Sequence, residues 1–448
     1  MDSSAAKKRI LILGGGFAGA YTALHLEKQF HDAPDVEIAL VAKENFVLFT
    51  PMLHEVAGGD VAVADIVQPL RKMLRHTRLA IAEVEAIDLA KKQVRIRHNG
   101  MPHGVEITYD QLVIALGAVT NFYRTPGLAE HALAMKTLGD AILARNLLID
   151  AMGMADNQPD ESERRATLTV VVAGGGFAGV ETAGAVNDLL REAMKFYPNL
   201  KPGMSRVVMV HPGEVILPEL GASLGRYAEQ QLGRRGVEFR LKTKVTSYDG
   251  EEVALDDGTK IATRMLIWTA GTTPPPLLAS LPCALQRGRI VANGFLQVAD
   301  WPGVWALGDC ALVPDALKPG QFYPPTAQHA IRQAAVLADN IVATMRGRTP
   351  QSFKFKTIGL LATIGHRHGV AEIFGWQFSG IVAWSLWRAI YLSKLPGLQK
   401  KVRVALDWTL DLIFSKDLVQ LPTLRSPAMS ETEHTSAATT HETESSKS

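Results

Sequence analysis

Hydrophobic residues in this chain come in short unbroken runs, without alternation or a seven-residue repeat, and polar or helical stretches separate them. Residues 9–13 (R-I-L-I-L), 36–41 (V-E-I-A-L-V), 112–116 (L-V-I-A-L), 170–173 (V-V-V-A), 206–210 (R-V-V-M-V) and 265–268 (M-L-I-W) are such runs. Their length and their Val, Ile and Leu content suit strands buried on both faces of a parallel sheet. Two of them lead into the same turn: R-I-L-I-L-G-G-G-F-A-G-A at residues 9–20 and V-V-V-A-G-G-G-F-A-G-V at residues 170–180. A buried strand, a glycine turn and a helix, occurring twice a domain's length apart, predict an α/β chain with two dinucleotide cradles.

The G-x-G-x-x-G glycines are Gly14, Gly16 and Gly19 in the first cradle and Gly174, Gly176 and Gly179 in the second. The first glycine permits the tight turn, and the second lets backbone approach a pyrophosphate. The third lets helix and strand pack closely, and the helix N-terminus faces the phosphates. A nucleotide site of this kind normally has an acid at the end of its second strand to hold the ribose hydroxyls. Those positions are Ala42, with Glu44 the nearest carboxylate, and His211. The choice between NADH and NADPH is therefore open at the level of residues. Small residues also close three other runs, at Gly117, at Gly271 and at Gly308-Asp309. They let a cofactor lie on the backbone, and Asp309 can accept hydrogen bonds from a polyol or ribose, or else cap a following helix.

Length and composition narrow the class. The chain has 448 residues, enough for two or three domains, and is 47% hydrophobic. Its 47 Lys and Arg nearly balance 45 Asp and Glu, so no basic excess points to nucleic acid. Only Cys283 and Cys310 are present, which excludes a C-x-x-C redox pair and a cysteine-rich metal site. His366 and His368 could share a strand face, but no third ligand is near in sequence, and no metal is expected. Neither H-E-x-x-H nor G-x-S-x-G occurs. No run reaches the length of a membrane-crossing helix, and the N-terminus reads as charged chain entering a strand without a signal sequence.

Together these motifs resemble the two-dinucleotide-binding-domain flavoproteins, and within them the type II NADH dehydrogenases, the non-proton-pumping NADH:quinone oxidoreductases. The resemblance rests on residues 45–57 (N-F-V-L-F-T-P-M-L-H-E-V-A), 174–181 (G-G-G-F-A-G-V-E), 324–333 (P-P-T-A-Q-H-A-I-R-Q) and 378–387 (F-S-G-I-V-A-W-S-L-W). It implies two Rossmann-like domains, the second nested in the first: FAD-binding at 1–122 and 274–345, and NAD(P)H-binding at 123–273. A membrane-associating region would follow at 346–425. It also implies FAD in the first cradle and NADH as donor, with NADPH a second candidate, and a membrane quinone as acceptor. Glu181 would contact the nicotinamide from the first turn of its helix, Ala327 and Gln328 would lie beneath the flavin on the quinone side, and Thr50-Pro51 would form a loop beside it. Other pyridine-nucleotide flavin reductases, of ferredoxin or sulfide:quinone type, and a non-enzymatic flavoprotein sensor are the alternatives.

The stretch 377–406 contains no acidic residue but has Arg388, Lys394, Lys400, Lys401 and Arg403. Phe378, Trp384, Trp387 and Tyr391 are interleaved with them, and Trp408 follows. Pro396-Gly397 divides it into two predicted amphipathic helices suited to a bilayer surface, with aromatics at headgroup level and basic side chains on anionic lipid. The same segment also suits a homodimer interface. These features predict a peripheral, monotopic protein on the cytoplasmic face of a membrane. Residues 426–448, rich in Ser, Thr and Glu, are predicted to be a disordered tail.

Overall fold

The computed structural model describes residues 7–98, 100–410 and 413–421; the tail expected at 426–448 lies outside the described residues. The runs at Lys8–Leu13, Val36–Ala42 and Gln111–Ile114 become neighbouring parallel strands, joined by the first residues of Arg78–Asp88 and by Val304–Ala306. Ile12 lies opposite Leu40 on one side and Val113 on the other. Ile10 to Leu13 are fully buried, as a strand covered on both faces requires. Arg78–Asp88 continues beyond the parallel sheet and pairs antiparallel with Gln93–His98, with a bulge at Val84/Ala86.

The second sheet is also parallel: Leu133–Ala134, Met265–Trp268, Thr169–Ala173, Arg206–His211 and Val237–Leu241, in that spatial order. The chain leaves the first sheet after Gln111–Ile114, builds the second, and returns to the first at Val304–Ala306. Val119–Thr120 pairs antiparallel with Thr272–Thr273 where the chain crosses out and back. One doubly wound unit is thus inserted in another, as the resemblance implies.

A third unit follows the helix Ala327–Met345, which packs along the first cradle helix Phe17–Gln29. It is an antiparallel sheet of Gly359–Thr363, Gly369–Ile373 and Trp376–Ser379, followed by helices Gly380–Lys394 and Leu398–Leu410. This sheet lies against the second cradle helix, Phe177–Ala193. A Cβ on Gly184 would sit 2.9 Å from the Ile364 carbonyl carbon, so the approach needs glycine. His366 and His368 occupy the turn between two strands and share no strand face. The His368 ring Nδ1 lies 2.8 Å from the His366 carbonyl oxygen, and among the described residues no cluster could hold a metal.

Candidate active site

The two cradles and the third unit enclose a cavity of about 2030 Å³. That exceeds the roughly 300–1,000 Å³ of an ordinary small-ligand site and leaves room for a dinucleotide and a second ligand. Gly14 and Gly16 line it at one end. Gly14 has a φ of +109° and its Cβ would run into the Ala115 carbonyl, so only glycine serves there. Gly16 has an ordinary φ of −76°, and its Cβ would meet no protein atom within 4 Å. It borders the open space a pyrophosphate would fill. Gly19 packs on the Gly14 carbonyl, which brings helix and strand together. The cradle therefore fits a dinucleotide.

Glu44, Thr50, Pro51, Gly117, Gly271, Gly308, Asp309, Ala327, Gln328 and Glu181 all line the same cavity. Asp309 lies in a single turn, Gly308–Cys310, that leads into a strand. The helix-capping reading of this residue is thereby ruled out. The Gln333 side chain accepts a hydrogen bond from the Gly308 amide at 2.9 Å, which holds the turn, and Lys136 Nζ is 3.7 Å from Asp309 Oδ2. Gly174, Gly176 and Gly179 are outside the lining, although Phe177 and Ala178, which open their helix, are part of it. Ala42 is buried beneath the first glycine turn, while Glu44 stands exposed on the rim.

At the second cradle the Gly175 amide donates to His211 Nδ1 at 3.1 Å. That bond assigns the His211 proton to Nε2, and burial lowers the ring's pKa. His211 is therefore neutral at pH 7 and carries no charge to attract a 2′-phosphate.

Glu181 is the fifth residue of Phe177–Ala193, in the second turn and not the first. Its buried carboxyl accepts from the Thr363 amide at 3.2 Å and lies 3.5 Å from His54 Nδ1. Burial raises its pKa well above the ordinary carboxylate value and so favours the protonated form. The sequence reading did not single out His54, although it lies within the quoted 45–57 motif, nor Tyr391 and Arg332 as cavity residues. All three line the cavity. Arg332 stacks on Phe355 with 4.2 Å to the ring centroid and donates to the Gln328 carbonyl at 3.0 Å. His329, held neutral by burial with its pKa near 4, has Nδ1 2.7 Å from Thr326 Oγ1 and fixes the helix start that presents Gln328. Neither cysteine lines the cavity; Cys310 is buried and burial pushes its thiol up to about 11. That leaves no sulfur at the site for disulfide or sulfide chemistry.

The profile of the pyridine nucleotide-disulphide oxidoreductase family matches residues 8–334, and that of the NDH2 C-terminal domain matches residues 358–417. A type II NADH:quinone oxidoreductase of Mycobacterium tuberculosis is 32% identical, over 92% of this chain and 89% of that protein. The chain belongs to the type II NADH:quinone oxidoreductase family. A second relative, a demethylphylloquinone reductase of Synechocystis, is 32% identical over 90% of this chain and 96% of its own length. The fold matches NDH2 of Plasmodium falciparum in complex with NADH, with a TM-score of 0.85 and 20% identity over 92% of this chain and all of that one. For this type II oxidoreductase the third unit is accordingly a family domain.

That unit corrects the expectation for the C-terminal aromatics. Trp387 (0% exposed) and Trp408 (4% exposed) are core residues, clustered with Phe49, Met52, Leu53 and Val56 beside the cavity, and Tyr391 packs 4.6 Å from Trp387. Arg388 is stacked on Trp384 and Trp408, and Lys400 and Arg403 pair with Asp65. Leu398, Val402, Leu406 and Leu410, four residues apart along one helix, are the exposed side chains, together with Ile381, Val382, Phe374 and Trp376. Among the described residues no helix is long and apolar enough to cross a membrane.

Proposed function

We infer that the protein is an FAD-dependent NADH:quinone oxidoreductase that takes a hydride from NADH and passes two electrons to a quinone without pumping protons. The observation that carries this is the single cavity, which joins the first cradle, the opening turns of the second cradle helix and the Ala327–Gln328 helix start. Bound FAD supplies the two-electron chemistry between the two substrates. The protein's part is placement. Gly14 and Gly16 admit a pyrophosphate to the backbone, and Asp309 accepts from polyol hydroxyls. Gly117, Gly271, Thr50, Pro51 and Ala327 shape the walls around the ring. The Gln328 amide can donate to a quinone oxygen, and Glu181 holds a proton in the wall shared by the second cradle helix and the third unit.

The finer assignments belong to the same proposal. Residues 1–122 and 274–345 bind FAD, residues 123–273 bind NADH, and residues 346–425 face a lipid surface on the cytoplasmic side. The support for the last is the exposed aliphatic stripe of Leu398–Leu410, on the helix that follows the cavity-lining residues Tyr391 and Lys394. Anaerobic stopped-flow with NADH, then with a water-soluble quinone, tests the reaction: the flavin absorbance should bleach and then recover. Gln328→Ala should leave bleaching intact and slow recovery. The reverse pattern would place Gln328 on the donor side and overturn its assignment.

A further inference from the structure

The overall reaction, NADH + H⁺ + quinone → NAD⁺ + quinol, takes one proton from solvent in every turnover. The cavity wall contains a buried file of ionisable side chains leading away from Glu181, and packing alone would not call for it. Leu53–Gly58 is a short, wholly buried helix that places His54 and Glu55 side by side. His54 Nδ1 lies 3.5 Å from Glu181 Oε2, and His54 Nε2 lies 3.9 Å from Glu55 Oε1. All three side chains are more than nine-tenths buried, and His54 Nε2 makes no hydrogen bond. Trp408 Nε1 donates to the other Glu55 oxygen at 2.6 Å. Asp60, whose charge acts on Glu55, is partly open to solvent and pairs with Lys416 at 2.7 Å.

We propose that His54 and Glu55 form a proton relay that carries one solvent proton per turnover from the Asp60 side, through Glu181, to the quinone. The proposal rests on the functional reading above. The Glu181 carboxyl O–H breaks as an O–H forms on the quinone oxygen, and the electrons come from NADH through the flavin. The Glu181 carboxylate takes the proton of His54 Nδ1 while His54 Nε2 takes the proton of Glu55, and Glu55 is reloaded from solvent. The ring, left with its proton on Nε2, regains the Nδ1–H tautomer by proton exchange with water in the cavity that His54 lines. The gaps of 3.5 and 3.9 Å close by small side-chain movement or through one water.

The charges around the file suit transfer of a proton and disfavour storage of an ion. Burial, reinforced by Asp60, pushes Glu55 up to about 8, against the Trp408 hydrogen bond and the positive charges of Arg388 and Lys416. Burial, with Lys416, holds His54 down near 3, so it passes protons as a neutral ring. Glu55 raises the proton affinity of Glu181 across His54, and Glu181 in turn raises that of the buried Tyr391 hydroxyl. Glu55 is largely protonated at pH 7, and burial favours the protonated form of Glu181 as well, which is the loaded state.

The test uses the holoenzyme in anaerobic stopped-flow with a short-chain quinone. Glu55→Gln should leave flavin reduction by NADH within about twofold and slow reoxidation by at least about tenfold, with an increased solvent deuterium isotope effect. His54→Ala should behave alike and be partly rescued by added imidazole, which a purely structural role would not allow. Trp408→Phe removes the bond that lowers Glu55's proton affinity, so the pH above which reoxidation slows should move upward. The infrared carboxyl band that titrates near pH 8 should move with it, and that band can be read without turnover. Normal reoxidation in flavin-replete Glu55→Gln and His54→Ala would overturn the relay. If those variants lose flavin, an unmoved pH profile and band in Trp408→Phe would overturn it instead. A wild-type enzyme that NADH bleaches but quinone does not reoxidise would refute the functional reading, and the carboxyl titration would still report on Glu55.

Discussion

Gly16 and His211 show how one side chain's surroundings turn a motif into a measurable claim. A valine at Gly16 meets no backbone strain and no protein atom, because φ is −76° and the space above it is open. Gly16→Val should therefore fold normally by circular dichroism yet purify without FAD, its methyl groups standing where the pyrophosphate belongs. Retention of full flavin would remove the first cradle from the FAD site. His211→Glu places a carboxylate at the end of the second strand of the other cradle, where it can accept from the ribose and repel a 2′-phosphate. One charge-assisted hydrogen bond is worth about 1.5–3 kcal/mol, so the NADH:NADPH ratio of kcat/KM should rise about tenfold or more. An unchanged ratio would mean that His211, held back by the Gly175 amide, does not face the ribose. Glu55 makes a prediction about stability. Unfolded, it titrates near its ordinary 4.5, and folded, near 8, so between those values the folded state holds a proton that unfolding releases. Its contribution is full below about pH 4.5 and is lost as pH rises to 8, at about 1.4 kcal/mol per pH unit. Below pH 6.5 the depressed His54 acts in the opposite sense, so the clean window is pH 6.5 to 8. There, chemical denaturation of Glu55→Gln should show a pH slope shallower than wild type by about one proton. Parallel slopes would mean that Glu55 is ionised in the fold.

At the scale of elements, the third unit divides its apolar residues between two tasks. The helix Leu398–Leu410 turns Val404 and Trp408 inward and leaves Leu398 (77% exposed), Val402, Leu406 and Leu410 outside. Removing the whole segment would strip Trp387 and Trp408 from the core that backs His54 and Glu55, so truncation cannot isolate a membrane role. Substitution on the outer stripe can. Leu398→Glu with Val402→Glu should leave the melting temperature and activity with a water-soluble quinone near wild type, since neither side chain is packed. Loss of about 1.5–3 kcal/mol per apolar side chain should weaken vesicle binding, measured by flotation, by an order of magnitude or more. Undiminished flotation would mean that the stripe does not meet lipid.

At the scale of the molecule, the nesting of one doubly wound unit in the other brings distant segments together around one cavity. Because the first sheet is completed only when Val304–Ala306 returns beside Gln111–Ile114, the Gly308-Asp309 turn and the Ala327 helix start arrive at the first cradle from the far side of the inserted unit. The third unit then closes on the second cradle helix at Gly184 and presents Thr363 and Tyr391 to Glu181. Donor and acceptor can thus reach one cofactor from different sides, which is the arrangement a two-substrate redox enzyme needs.

The chain's own order of residues determined what is local. Buried strands, glycine turns and cradle helices could be read because each depends on a few neighbours: an apolar run long enough for a strand, then glycines where φ is positive or backbone must come close. The break at Pro396-Gly397 and the pair of helices around it were legible for the same reason. Which face of those helices is buried was not, because an apolar stripe reads the same toward lipid as toward a core, and only the packing of Trp387 and Trp408 on residues 49–56 settled it. Nor could the sequence show that His54, Glu55, Glu181 and Trp408 form one buried file. Glu55 and Trp408 lie 353 residues apart, and the proton affinities along the file are set by the absence of water, a property of the enclosed interior that no single segment carries.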